Sequence, residues 1–159
     1  MAFNGSFICN SFKNELLKGE HDFDAHTFNL ALYPNAAVGT SFSGSSAIID
    51  QSITTYSSTG EVSNTIPDGS AASGYATGGQ ALSLASSTPK LVGSVAIIDF
   101  ADEAWSGATF TARGGIIYNT SNSKTVAVID FGSDQTVTGG TLTVTFPAAD
   151  SVNAIIRIQ

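Results

Sequence analysis

The sequence predicts an all-β protein: an antiparallel β-sandwich, jelly-roll or Ig-like, of about eight strands with a short N-terminal helix and arm. Three observations predict it. Short apolar runs rich in β-branched residues recur along the chain, bounded by Gly, Pro, Asn and Ser. Helical spacing is confined to residues 10–19. No strand–helix–strand alternation of the kind that builds a parallel sheet is present. At 159 residues the chain divides into an arm with its helix, 1–26, and one sandwich domain, 27–159.

Residues 1–10 read as the arm. Phe3, Phe7 and Ile8 sit without a period among Asn, Gly and Ser, and such a tail needs a surface to lie against, here expected on a neighbouring subunit. In the helix Asn10 or Ser11 caps, Phe12 and Leu16 share a face, and Gly19 ends it in the left-handed conformation. About two turns are too few to stand alone, so the helix must dock on the sheet. Cys9, the single cysteine, forms no internal disulfide and reads as a small buried apolar residue in a reducing compartment. His21, Asp22, Asp24 and His26 follow in HDFDAH. They are nitrogen and oxygen donors, but nothing in their spacing forces them onto one metal, and a solvated link is the expected role.

Thr27–Tyr33 alternates Phe28, Leu30 and Leu32 with smaller or polar residues, a half-buried strand stopped by Pro34-Asn35. Residues 36–89 hold few large apolar groups. Ile48, Ile49, Ile53, Tyr75, Leu82 and Leu84 are the expected strand cores there, among long surface loops broken at Pro67-Asp68-Gly69 and Gly78-Gly79. Residues 94–131 are the densest stretch. Val95-Ala96-Ile97-Ile98-Asp99-Phe100 returns as Val126-Ala127-Val128-Ile129-Asp130-Phe131, each a short buried strand closed by an acid and a phenylalanine. Between them Ala108–Asn119 alternates, and Gly114-Gly115 marks a bulge or a close backbone approach. Gly139-Gly140 turns into Thr141–Phe146, with Leu142, Val144 and Phe146 on one face; Pro147 ends it, and Asn153–Ile158 is the last strand.

Charged residues are only 12% and apolar residues 42%, which suits a hydroxyl-rich surface covered by partners. The net charge of −7 argues against nucleic acid. No apolar run reaches the ~18 residues of a membrane helix, and the N-terminus lacks a basic segment followed by an apolar one, so secretion is not expected. The two histidines lie in the N-terminal link, no G-x-S-x-G elbow precedes a helix, and the paired glycines precede strands rather than phosphate-binding helices. The chain is therefore read as not an enzyme, with no catalytic residue, cofactor or metal assigned. Asp99, Asp102, Glu103, Asp130 and Asp134 are the remaining candidates for calcium or an acid–base pair; strand-end acids bonding turn amides or Arg113 is the simpler account. Arg113 is expected in an ion pair, or at an intersubunit contact together with Phe3, Phe7, Ile8, Phe12 and Leu16. Trp105, Ile117 and Ile129 are expected in the core. A carbohydrate platform at Trp105 would want further exposed aromatics, and only Phe110 and Tyr118 are near in sequence.

In order along the chain stand Asn10-Ser11-Phe12-Lys13 with Glu15-Leu16-Leu17 and His21-Asp22-Phe23; Ala31-Leu32-Tyr33; Thr54-Thr55-Tyr56 with Gly60-Glu61-Val62; and Gly74-Tyr75 with Gly78-Gly79. They continue with Phe100-Ala101-Asp102 and Trp105; Thr111-Ala112-Arg113-Gly114 with Ile117-Tyr118-Asn119; Ala127-Val128 with Asp130-Phe131-Gly132; and Pro147, Ala149-Asp150 and Asn153-Ala154-Ile155. In these residues, from about residue 10 to the end, the chain resembles a family of small virion structural proteins of tailed double-stranded DNA bacteriophages. It departs from that pattern by insertions at 36–53 and 65–73. The resemblance implies a non-enzymatic particle component located in the virion and assembled in the host cytoplasm: a capsid cement or decoration protein, or else a tail or neck component. Its expected partners are the major capsid protein, other virion proteins and further copies of itself, as a homo-oligomer such as a trimer, with no nucleic acid and no membrane. From a different class, a carbohydrate-binding β-sandwich module would use Trp105, with calcium at Asp99 and Asp102.

Overall fold

Alternating apolar residues make strands, and the longest alternating stretch of this chain makes its longest hairpin. The computed structural model describes residues 3–35, 49–62 and 73–159; Ile48, Pro67-Asp68-Gly69 and most of the two insertions lie outside them. In chain order the elements are β1 (Phe7–Ile8), α1 (Asn10–Leu17), β2 (Phe28–Tyr33), β3 (Gln80–Ala81), β4 (Lys90–Val92), β5 (Val95–Ile98), β6 (Glu103–Asn119), β7 (Thr125–Val144) and β8 (Ile156–Ile158). Every pairing between these strands is antiparallel. They form one sheet ordered β1-β7-β6-β2-β3 and a second ordered β4-β5-β8. The described residues are therefore mostly antiparallel β with one short helix, and among them neither sheet closes on itself.

The hairpin of β6 and β7 organises the molecule. Along β6 the buried positions Ala108, Phe110 and Ala112 alternate with partly exposed ones, and from Gly114 to Asn119 every residue is buried. There the hairpin is flanked on both sides, by β2 against β6 and by β1 against β7. Gly114-Gly115 serves both expected purposes. The register shifts between Ala112 and Gly114, and a Cβ on Gly114 would run into the Ile129 carbonyl and the Phe3 ring. Residues 131–134 of β7 bulge opposite Arg113 alone, since Gly114 pairs with Asp130 and Ala112 with Gln135.

Two readings of this region are corrected. Val126–Phe131 is not a short strand closed by Asp130 and Phe131: it opens the long β7 of the larger sheet, whereas the first run supplies the short β5 of the smaller one. Nor is Gly139-Gly140 a turn. Gly139 takes φ +60, Thr109 pairs with Thr138 and Ala108 with Gly140, so the extra residue is absorbed as a bulge and β7 runs through to Val144. Between residues 49 and 89 β3 is accompanied by isolated bridges from Ile49, Thr55, Ser73 and Leu84.

At the helix, Asn10 and Ser11 lie inside the first turn rather than at the cap. Cys9 occupies that position in an extended conformation without a side-chain capping bond. The other end is as expected: Gly19 has φ +71, its N–H donates to the Leu16 carbonyl at 3.1 Å, and Glu20 N–H donates to the Glu15 carbonyl at 3.0 Å. That pair of bonds is the Schellman motif. Phe12 faces the core, where Phe23 stacks on Phe28 at 4.3 Å between ring centroids and Phe100 leans on both.

Candidate functional site

The residues expected to reach a partner are mostly spoken for within the chain. Phe3 and Phe12 are buried in the same core as the strands, so neither is offered to a neighbouring subunit. The cause is local: Phe3 bridges Ile49 and fills the space left by Gly114, while Phe12 packs on the His21 and Phe23 rings. Phe7 and Ile8 are half-buried because β1 pairs with Val128 and Ala127, and Leu16 is half-buried against the core. Arg113 donates from Nε to Asp130 Oδ1 at 3.0 Å, with both side chains largely covered. Trp105 and Ile117 are fully buried, and Ile129 is partly buried against the same cluster. Trp105 therefore presents no open face to a sugar.

The acids do not gather. Asp130 is held by Arg113, by Gly132 N–H at 2.8 Å and by the Ser6 hydroxyl bonding its backbone N–H. Asp102 accepts from Phe146 N–H at 2.9 Å. Asp99, on the smaller sheet's side of the molecule, accepts from Phe100 N–H, and burial holds its carboxyl above the usual range. Among the described residues no group of three or more His, Cys, Asp or Glu converges as a metal site would. HDFDAH is a solvated link only in part: Asp22, Asp24 and Ala25 are exposed, but both histidines are held by neighbours. His21 is buried, with Nε2 at 3.0 Å from Glu15 Oε2. Asn119 Nδ2 lies 2.9 Å from His26 Nδ1 and 3.4 Å from His21 Nδ1. Lys124 closes the group by pairing with Glu15 and Glu20. This cluster ties α1 and its exit to the turn between β6 and β7. Cys9 nearby is buried, and that burial pushes its thiol up to about 11, so it is an unreactive core thiol.

Sequence reasoning missed a second polar hub. Glu61 is fully buried, and all four tyrosines of the chain surround it. Tyr56 Oη donates to Oε2 at 2.7 Å; Tyr75 Oη and Gly78 N–H, the latter at 2.8 Å, donate to Oε1. Tyr118 stacks on Tyr56 at 4.0 Å and donates to the Gly78 carbonyl, and Tyr33 donates to the Ser57 carbonyl at 2.6 Å. Burial raises the Glu61 carboxyl from its ordinary value against the pull of these donors. It also raises Tyr33, Tyr56, Tyr75 and Tyr118, with the Glu61 charge adding to it in each. The hub clamps residues 56–62 and 75–79 onto β2 and β6, which is a structural use of a carboxylate.

What remains open is surface. Leu91 of β4, Ala96 of β5 and Ile158 of β8 lie in one cross-strand row, since Leu91 pairs with Ala96 and Ala96 with Ile158. Leu91 is 71% and Ile158 52% exposed, among the few large apolar side chains of the described residues that are. Ala96 and Ile158 also line a hollow of about 400 Å³ shared with Leu16, Phe23, Pro89 and Ile156 and rimmed by Asp22 and Asp24. The second open feature is the outer edge of β7 beyond Ile129, which no strand pairs with among the described residues. Compared with protein-family models, with curated proteins and with solved structures, the chain matches none.

Proposed function

We propose that this chain is a bacteriophage virion structural protein, a cement or decoration protein that stabilises the head shell across capsomer junctions. On this reading its two sheets pack as a sandwich, its partners are the major capsid protein and its own copies, and it carries out no catalysis. The observation that carries the reading is the apolar row Leu91–Ala96–Ile158 beside its hollow. Covering one such side chain is worth about 2 kcal/mol; one copy binds weakly, and attachment to several subunits multiplies the effect. The kind of partner is proposed from the resemblance that the order of residues along the chain bears to small phage particle proteins.

The test is to separate heads from tails in purified particles and quantify the chain against the major capsid protein. Copies on the heads in proportion to capsomers are the expected result, and Leu91→Asp with Ile158→Asp should release them while leaving the chain folded. A few copies departing with the tails would move the protein to the neck or tail. Absence from particles would overturn the reading.

A further inference from the structure

We propose that a second copy of this chain pairs with the open edge of β7, strand against strand, about a two-fold axis passing between Gly139 and Gly140. The inference uses other residues than the docking row above, so either can fail alone.

The edge invites a strand. From the bulge at 131–134 to its end at Val144, β7 offers Gln135–Val144 as an edge, curled so that Gln135 and Leu142–Val144 line one hollow with Ile129–Phe131, and only β6 pairs with it among the described residues. Exposed edges are normally blunted by Lys, Pro or inward charges. Here Gln135–Pro147 contains no ionisable side chain, in a chain of net charge −7, and its proline lies past the strand. Any approaching copy carries the same net negative charge, and this neutral stretch adds no like-charge pair of its own to the contact.

The identity of the occupant comes from symmetry. A two-fold contact requires a surface complementary to itself. Thr136-Val137-Thr138-Gly139-Gly140-Thr141-Leu142-Thr143 reads nearly the same in both directions. Its burial reads the same way: Val137 and Leu142 are half-buried, and Thr136, Thr138, Thr141 and Thr143 are exposed. The bulge at Gly139 produces this match by resetting the alternation halfway along. With the axis between the glycines, Val137 faces Leu142 of the second copy, Thr138 faces its Thr141, and Thr136 its Thr143. Inward residues meet inward residues throughout, and the half-open apolar side of the ribbon at Val137 and Leu142 is covered. The glycines at the centre leave no side chains on either face of the pairing at the axis. Antiparallel pairing sends the two Asp134 carboxylates to opposite ends of the paired segment, each opposite the uncharged Thr145 of the other copy. A parallel, in-register pairing would set them side by side. The resulting assembly has two-fold symmetry, in place of the trimer expected from the family resemblance.

The experiment is a charge swap read by sedimentation equilibrium of the full chain. The wild type is expected at twice the chain mass. Thr138→Lys with Thr141→Lys places two Lys–Lys pairs across the axis and should give monomer, as should Thr138→Glu with Thr141→Glu. Mixing the two variants should restore the dimer through Lys–Glu pairs, at least about tenfold tighter than either variant with itself. A wild-type far-UV circular dichroism spectrum and a single cooperative melt in each variant show that the fold is kept, with Tm lowered only by the association that is lost. A monomeric wild type, a dimer or trimer that survives both double substitutions, or a mixture that stays monomeric would overturn the proposal.

Discussion

The two halves of the β6–β7 hairpin use the same pairing for different ends. In the inner half, Gly114–Asn119 against Thr125–Asp130, β1 and β2 flank the ribbon and nearly every side chain is buried. In the outer half β6 still buries Trp105 and Phe110, but β7 from Gly132 to Thr143 is exposed or half-exposed and its far edge is bare among the described residues. Arg113, Asp130 and the bulge at 131–134 stand at the junction. The contrast teaches that a strand's function depends on how many of its borders are used: the inner half is finished, and the outer half has one border left for another chain.

Substitutions should separate the halves. Ile117→Ala, deep in the inner half, is expected to cost about 3–4 kcal/mol, because buried large-to-small changes lose transfer energy and leave a cavity; urea denaturation measures it. Gly114→Ala should cost about 3 kcal/mol by driving a Cβ into the Ile129 carbonyl, whereas Gly139→Ala in the outer half meets open space and should cost about 1 kcal/mol for its left-handed φ alone. Equal losses at the two glycines would erase the distinction.

Glu61 sharpens the comparison through Tyr118, which ties the hub to the inner half. Glu61→Ala strands three donors and should cost about 2–3 kcal/mol. Because burial raises its carboxyl, the folded chain holds that proton more tightly than the unfolded one. This contribution therefore favours folding at low pH and declines as pH rises above the ordinary carboxylate value of 4.5. Melting temperatures followed from pH 4 upward should show a shallower decline in Glu61→Gln; an identical slope would remove Glu61 from the account. At the junction, Arg113→Ala should cost about 1–2 kcal/mol, since Asp130 keeps its bond from Gly132. Smallest of all, Thr141→Ala should change stability by less than about 0.5 kcal/mol.

Much of the strand pattern was legible locally. Phe28–Tyr33 has the period, and the run from Val95 and the alternation around Phe110 the β-branched content, that a strand demands, although Phe28–Tyr33 is buried on both faces rather than one. The helix stop at Gly19 was legible for the same reason, a local backbone requirement. Strand length was not: paired glycines between alternating runs are the ordinary hairpin signal, and only the partner β6, 30 residues from Gly139 at Thr109, makes them a bulge. The hub was equally hidden. Tyr33, Tyr56, Tyr75 and Tyr118 have no common spacing, and Glu61 stands in a polar stretch that gives no sign of burial. Phe3 and Phe12 looked available because a short apolar segment does not reveal whether its cover comes from the same chain.

The most direct test of the division within the hairpin is amide hydrogen exchange, compared between the wild type and the Thr138→Lys, Thr141→Lys variant. The account predicts slow exchange at Ile116–Tyr118 and Val126–Val128 in both. It predicts that outward-facing amides between Gln135 and Val144 are slow in the wild type and fast in the variant. Equal exchange in that outer stretch, in whichever direction, would contradict the claim that β7 keeps one border for a second chain.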